Sequence, residues 1–219
     1  MMLLRFIIYF GAPFLGVYML VVNGFSYTEF MIVTVALSVF MALFYPLTGR
    51  IADNFGNIRL LRLATFAMAI SYLSWLFSLN IYYLVFVTQL FAGFAWAGIL
   101  LASNNYIYDV ISQEKRGFAL ANFNLLVGIG MGMGAGIGAL VALLNFNFIN
   151  TSLLILFLTG CFILLFYVLS EGLLREVRHV KHFRYQWLLR EISSGAVTRE
   201  IHALNNVNSK VQHVIKIKR

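Results

Sequence analysis

Gly49-Arg50-Ile51-Ala52-Asp53-Asn54-Phe55-Gly56-Asn57-Ile58-Arg59 is a short charged hinge between two long apolar runs. Gly49 lets one helix end pass close to its neighbour, and Gly56 permits a tight reversal that a residue with a Cβ would resist. Between them, Asp53 is placed to accept hydrogen bonds at a helix N-terminus, where negative charge is favoured. Arg50, Arg59 and the nearby Arg62 make the hinge basic. Taken alone it is an ordinary positively charged loop, and its meaning depends on what flanks it.

What flanks it is a chain of 219 residues that is 61% hydrophobic and only 11% charged, far from the soluble mixture of about 45–50% and 25%. So much apolar surface cannot be hidden in a water-soluble core of this size, which makes lipid the solvent. Six apolar segments, roughly 4–22, 30–47, 60–79, 82–104, 118–144 and 152–170, each approach the ~20 helical residues needed to cross the hydrocarbon layer. The first has Arg5 before an apolar stretch, like a secretory signal. It is long for one, however, and it carries Pro13, Tyr9, Tyr18 and Asn23 and lacks a small-x-small cleavage site. It reads better as a first membrane span.

Charge sets the orientation. The turns near residues 23–29, 80–81 and 145–151 contain no Lys or Arg, while Arg5, the hinge arginines, Lys115, Arg116 and the basic residues after 170 all fall on the other side. The sixteen Lys and Arg against eight Asp and Glu, a net +8, are thus accounted for by the positive-inside rule, with both termini cytoplasmic. The spans hold almost no ionisable side chains, since Asp109, Glu114, Lys115 and Arg116 read as loop and all four histidines lie in the tail. Intramembrane charges usually mark proton relays, and their scarcity argues against a coupling carboxylate. No buried Ser has a His or Asp beside it, which argues against an enzyme. No phosphate-cradling loop or metal-ligand cluster is present, so no cofactor or metal is expected. The single Cys161 reads as packing and excludes a disulfide framework.

The hinge resembles the loop motif of the major facilitator superfamily, roughly Gly-x-Leu-Ala-Asp-Arg-x-Gly followed by two basic residues. Gly49, Ala52, Asp53 and Gly56 match it, and Ile51 stands in for Leu. Asn54, Asn57 and Ile58 depart from it, thinning the basic cluster to Arg50, Arg59 and Arg62. The motif falls after the second of six spans, where the superfamily places it, and Lys115-Arg116-Gly117 resembles that family's entry into the fifth span. The resemblance covers roughly residues 4–175. It implies an all-α membrane protein whose six transmembrane helices form two inverted three-helix repeats, half of a twelve-helix transporter working by alternating access. Gln89 stands where amino-terminal halves usually carry an arginine, which points to a carboxy-terminal half. In complete members this hinge packs on the fifth helix of the other half, so the partner of Asp53 would come from a second six-helix unit or a second copy.

Gly49, Arg50, Asp53, Gly56 and Arg59 are therefore the candidate conformational-switch loop. Tyr9, Gln89, Trp96, Asn122 and Asn124 are candidate cavity-lining residues. Gln89 reads equally as an interhelical hydrogen bond, and Tyr9 and Trp96 read first as packing. In the fifth segment Gly128, Gly132 and Gly136 form one track and Gly130, Gly134 and Gly138 another. Because two residues rotate a helix by about 200°, the tracks lie on nearly opposite faces, and each suits close helix approach. A helix so built is expected to be clamped on both sides, or to let its neighbours slide.

The chain divides at residue 170, with a membrane domain over 1–170 and a basic tail over 171–219. Apolar spacings in the tail, such as Leu173, Leu174, Val177 and Val180, suggest amphipathic helices lying on an anionic leaflet. Nucleic-acid binding has no recognised module to support it. The sequence thus supports secondary transport of a small solute across the cell membrane. A non-transporting assembly or regulatory protein whose tail recruits a partner is the alternative.

Overall fold

In the computed structural model, which describes residues 1–143 and 150–173, every regular element is helical. Helix α1 spans Met2–Val22, an α-helix that widens into a π-turn over Tyr18–Val22. Helix α2 is Tyr27–Phe55 and α3 is Asn57–Ser74. Helix α4 covers Ile81–Val110, with a π-turn over Leu84–Thr88. Helices α5, Arg116–Leu143, and α6, Thr151–Leu173, complete the set.

Local chemistry explains the ends. Ser26 and Glu29 close a capping box on α2: the Glu29 carboxylate accepts from the Ser26 backbone N–H at 2.8 Å, and the Glu29 N–H donates to Ser26 Oγ at 3.3 Å. This Ser-x-x-Glu pattern satisfies two otherwise unpaired donors of the first turn. Asn80 starts α4 by accepting from the Tyr82 N–H at 2.9 Å. Pro13 and Pro46 lie inside α1 and α2, where each withholds one backbone donor.

Five helical stretches are long and apolar enough to cross a membrane: Met2–Val22, Tyr27–Phe55, Ile81–Val110, Gln113–Leu143 and Thr151–Ser170. Helix α3 is not among them, which departs from the six spans expected. It is 18 residues long, begins with Arg59 and Arg62, and buries Thr65, Ser71 and Ser74. Enclosed by other helices along most of its length, it has little need of an apolar exterior. The hinge also differs from expectation. Positions 49–55 are the last two turns of α2, and Gly56 alone separates α2 from α3. Likewise Asp109 is the penultimate residue of α4 rather than part of a loop. The tail stripes read from the sequence, from residue 174 onward, lie outside the described residues.

Helix α1 packs chiefly on α5 and α6, α4 packs chiefly on α2 and α3, and α3 meets α6. Exchanging the first three helices with the last three carries this pattern onto itself. The contacts are made through glycine. A Cβ at Gly130 would stand 2.7 Å from the Met2 carbonyl oxygen, and at Gly134 and Gly138 it would strike the carbonyls of Phe6 and Phe10 on α1. On α4, Gly93 meets the backbone of Met41 on α2, and Gly98 meets Ala64 on α3. Gly11 of α1 meets Thr159 of α6. The other track of α5 is different. At Gly128, Gly132 and Gly136 an added Cβ meets nothing within 4 Å. Within the described residues α5 is gripped on one side only, because α1 occupies one face and no helix occupies the other.

This asymmetry makes a paired prediction. Gly134→Ala is expected to lower stability by about 1–3 kcal/mol, because its Cβ meets main chain that cannot yield. Gly132→Ala is expected to be neutral or stabilising by roughly 0.5–1 kcal/mol. Thermal unfolding of both purified variants in one detergent distinguishes them.

Candidate functional site

Two regions at opposite ends of the bundle carry the polar chemistry. The first is a partly open cavity of about 210 Å³ bordered by α1, α2, α3 and α4. Its wall is mostly apolar (Leu15, Met19, Phe30, Val33, Met68 and Trp75 among others), with Thr34, Ser71, Tyr72, Gln89 and Trp96 as the polar or amphipathic contributors. The π-turn over Leu84–Thr88 ends at Gln89, and such turns re-aim side chains within an otherwise regular helix. Gln89 is 7% exposed and lines the cavity; among the described residues its amide makes no interhelical hydrogen bond. Hydroxyls from α3 secure this turn. Ser71 Oγ donates to the Thr88 carbonyl at 3.1 Å, and Ser74 Oγ lies 2.9 Å from Thr88 Oγ1. Tyr72 reaches across to α1, its hydroxyl donating to the Ile8 carbonyl at 2.9 Å.

Trp96 also lines the cavity. Tyr9 meets it edge-on, with ring centroids 6.4 Å apart, and the Arg5 guanidinium lies 4.9 Å from the Trp96 centroid. The sequence counts Arg5 among the charges of the cytoplasmic face, but it sits one turn inside α1 and is buried. Only its place just ahead of Tyr9 hinted at this, since α1's inward face could not be told from its outward one. Asn122 and Asn124, by contrast, lie exposed on α5 away from the cavity. Asn122 Nδ2 donates to the carbonyl of Phe118 in its own helix at 3.1 Å.

The second region is the hinge. Gly56 has φ 93° and ψ 160°, a conformation nearly reserved for glycine. Its N–H donates to the Ala52 carbonyl at 2.9 Å, and its own carbonyl accepts from Leu60 at 3.2 Å. One residue thus ends α2 and starts α3. Asp53 does not cap α3. It lies exposed in the last turn of α2, with no hydrogen-bond partner among the described residues. A Cβ at Gly49 would meet nothing within 4 Å, so the close approach expected there is not made within this chain. Arg50 and Arg59 are half-buried beside them. Asn57, a departure from the motif, is buried and donates through Nδ2 to Asp109 Oδ2 of α4 at 2.6 Å. Nothing in the sequence paired these two residues 52 positions apart. The following loop is closed by Arg116, which donates to the Ile111 and Tyr108 carbonyls at 3.2 and 3.1 Å. Ser112 precedes the short 3-10 turn Gln113–Lys115 without a side-chain cap.

The hinge lies between the second and third helices and is followed by a second triplet packed in the same pattern. The family model of the Major Facilitator Superfamily matches residues 1–204. The chain belongs to this superfamily. It is therefore a multi-pass membrane protein of a family of transporters, and the match reaches well beyond residue 175, where the resemblance read from the sequence stops. No curated protein matches it.

Because Gly56 occupies a region that costs other residues about 1–3 kcal/mol, Gly56→Ala is expected to destabilise by that amount. Gly49→Ala, facing open space in a regular helix, is expected to be neutral or slightly stabilising. Comparing the melting temperatures of the two variants checks both.

Proposed function

We infer that this chain is one six-helix half of a secondary transporter that works by alternating access, completed by a second six-helix unit or a second copy. The observation that carries this reading is the outward side of the hinge. Gly56 and Asn57 are engaged within the chain, whereas Asp53 is exposed and Gly49 faces open space. The motif is thus half-occupied, and a helix N-terminus from another six-helix unit would suit the unneutralised Asp53. The second glycine track of α5 likewise offers a flat surface for close approach.

In this reading α3 is the sixth span, shielded by its neighbours, and the exchange pattern of the packing is that of two inverted three-helix repeats. The termini and the hinge face the cytoplasm of the cell, and the solute enters a space bordered by Gln89 and Trp96. Asp53, with Gly49 and Gly56, biases the bundle toward a closed cytoplasmic side. Arg50 and Arg59 attract the anionic leaflet or the partner. The chain carries out no bond chemistry.

Two measurements test this. Asn57 and Asp109 hold the start of α3 and the end of α4 together, so Ser112→Cys in a Cys161→Ser background reports the face on which the hinge lies. An impermeant maleimide should label inside-out vesicles and spare right-side-out ones; the reverse pattern would overturn the orientation. Uptake of candidate solutes into liposomes should require the second half or a self-paired form. Asp53→Asn should reduce it by roughly fivefold or more at equal abundance. Equal uptake by the variant would remove Asp53 from the switch.

A further inference from the structure

A cation inside a protein is costly unless it is paired and hydrogen-bonded. Arg5 is 4% exposed, and its Nη1 is sealed from solvent with no acceptor. Its guanidinium lies 4.9 Å from the centroid of the Trp96 ring. A cation–π contact offsets part of the desolvation but gives the N–H donors on Nη1 no acceptor. Arginines near helix ends commonly extend to the lipid headgroups. Arg5 does not, for its side chain is turned into the bundle. Beside it, Tyr9 meets the same indole edge-on. Trp96 in turn forms part of the wall of the 210 Å³ cavity, whose other polar groups are the Gln89 amide and the hydroxyls of Thr34, Ser71 and Tyr72. A buried fork of donors, an aromatic shelf and a largely apolar chamber therefore lie in sequence along α1 and α4.

We propose that Arg5 anchors the oxyanion of a small organic acid, a carboxylate or phosphate held by the guanidinium, with the apolar body of the ligand against Trp96 and in the cavity beyond it. This names the solute class of the transporter reading and rests on that reading. The planar guanidinium matches carboxylate and phosphate oxygens two at a time, and the ligand supplies a counter-charge that no described residue provides. Because Nη1 is sealed, binding requires the Trp96 ring to turn aside, which makes Trp96 a gate as well as a shelf.

The test uses the purified full chain in phosphatidylcholine nanodiscs, with radiolabelled benzoate as probe, benzamide as its uncharged counterpart and inorganic phosphate as competitor. Benzoate should bind saturably, phosphate should compete, and benzamide should not. Arg5→Gln should weaken benzoate binding by at least about tenfold, and Arg5→Lys, which keeps the charge but not the fork, should fall between. Without probe, Arg5→Gln should melt no lower than the parent, because the substitution removes an unpaired buried charge. Equal binding of benzoate by Arg5→Gln, equal binding of benzamide, or no benzoate binding by the parent would each overturn the proposal. So would a lower melting temperature of Arg5→Gln with unchanged binding, which would make Arg5 a structural cation. Repeating the measurement in discs containing phosphatidylglycerol separates the sources of phosphate. A stabilisation that needs Arg5 and appears only with that lipid would assign the guanidinium to a headgroup and overturn the solute. The assay involves no transport, so its failure leaves the half-transporter reading intact, and failed uptake with intact binding would count against that reading alone.

Discussion

Helices in a bilayer gain little from hiding apolar side chains, because lipid tails are as apolar as the side chains themselves. What holds this bundle together is main chain brought against main chain. Gly130, Gly134 and Gly138 set α5 against the carbonyls of α1, while Gly93 and Gly98 set α4 against α2 and α3. At these distances a single methyl group is too large, so the contacts fix register and crossing as well as proximity. The cavity follows from them. Clamped α1 and α4 define its sides, and the hydroxyls of Ser71, Ser74 and Tyr72 tie α3 behind it.

Polar cross-ties add direction to this frame. Asn57 to Asp109 joins α3 to α4, Tyr72 to Ile8 joins α3 to α1, and the Arg62 guanidinium donates to the Ser170 carbonyl of α6 at 3.2 Å. The Tyr72 bond is buried, where an unmet polar group is costly, and the other two are part-buried. All three use α3. That helix is the axis of the unit, while α2 and α5, the least buried of the long helices, form its outer flanks.

Much of this was legible from the chain. Apolar runs located the helix starts to within three residues, and Gly56 announced its reversal because no other residue suits that backbone. Helix ends were less legible. Positions 49–55 looked like a loop because of their charge, yet helix continues through Arg50, Asp53 and Asn54, since nothing there breaks it before Gly56. The glycine tracks were visible in the sequence, but which face α1 would occupy depends on tertiary placement. Arg5 shows the same limit. A charge near a helix start reads as interfacial by default, and only the neighbouring Trp96 turns it inward. Asn57 with Asp109 had no sequence signature, because short-range patterns say nothing about partners from distant helices.

The enclosure of α3 bears on how the molecule is made. A segment that opens with two arginines and carries several hydroxyls gains little from partitioning into lipid alone, and it becomes comfortable only once α4 and α6 surround it. Since α6 is translated some 80 residues after α3 ends, α3 spends part of its synthesis without its final surroundings.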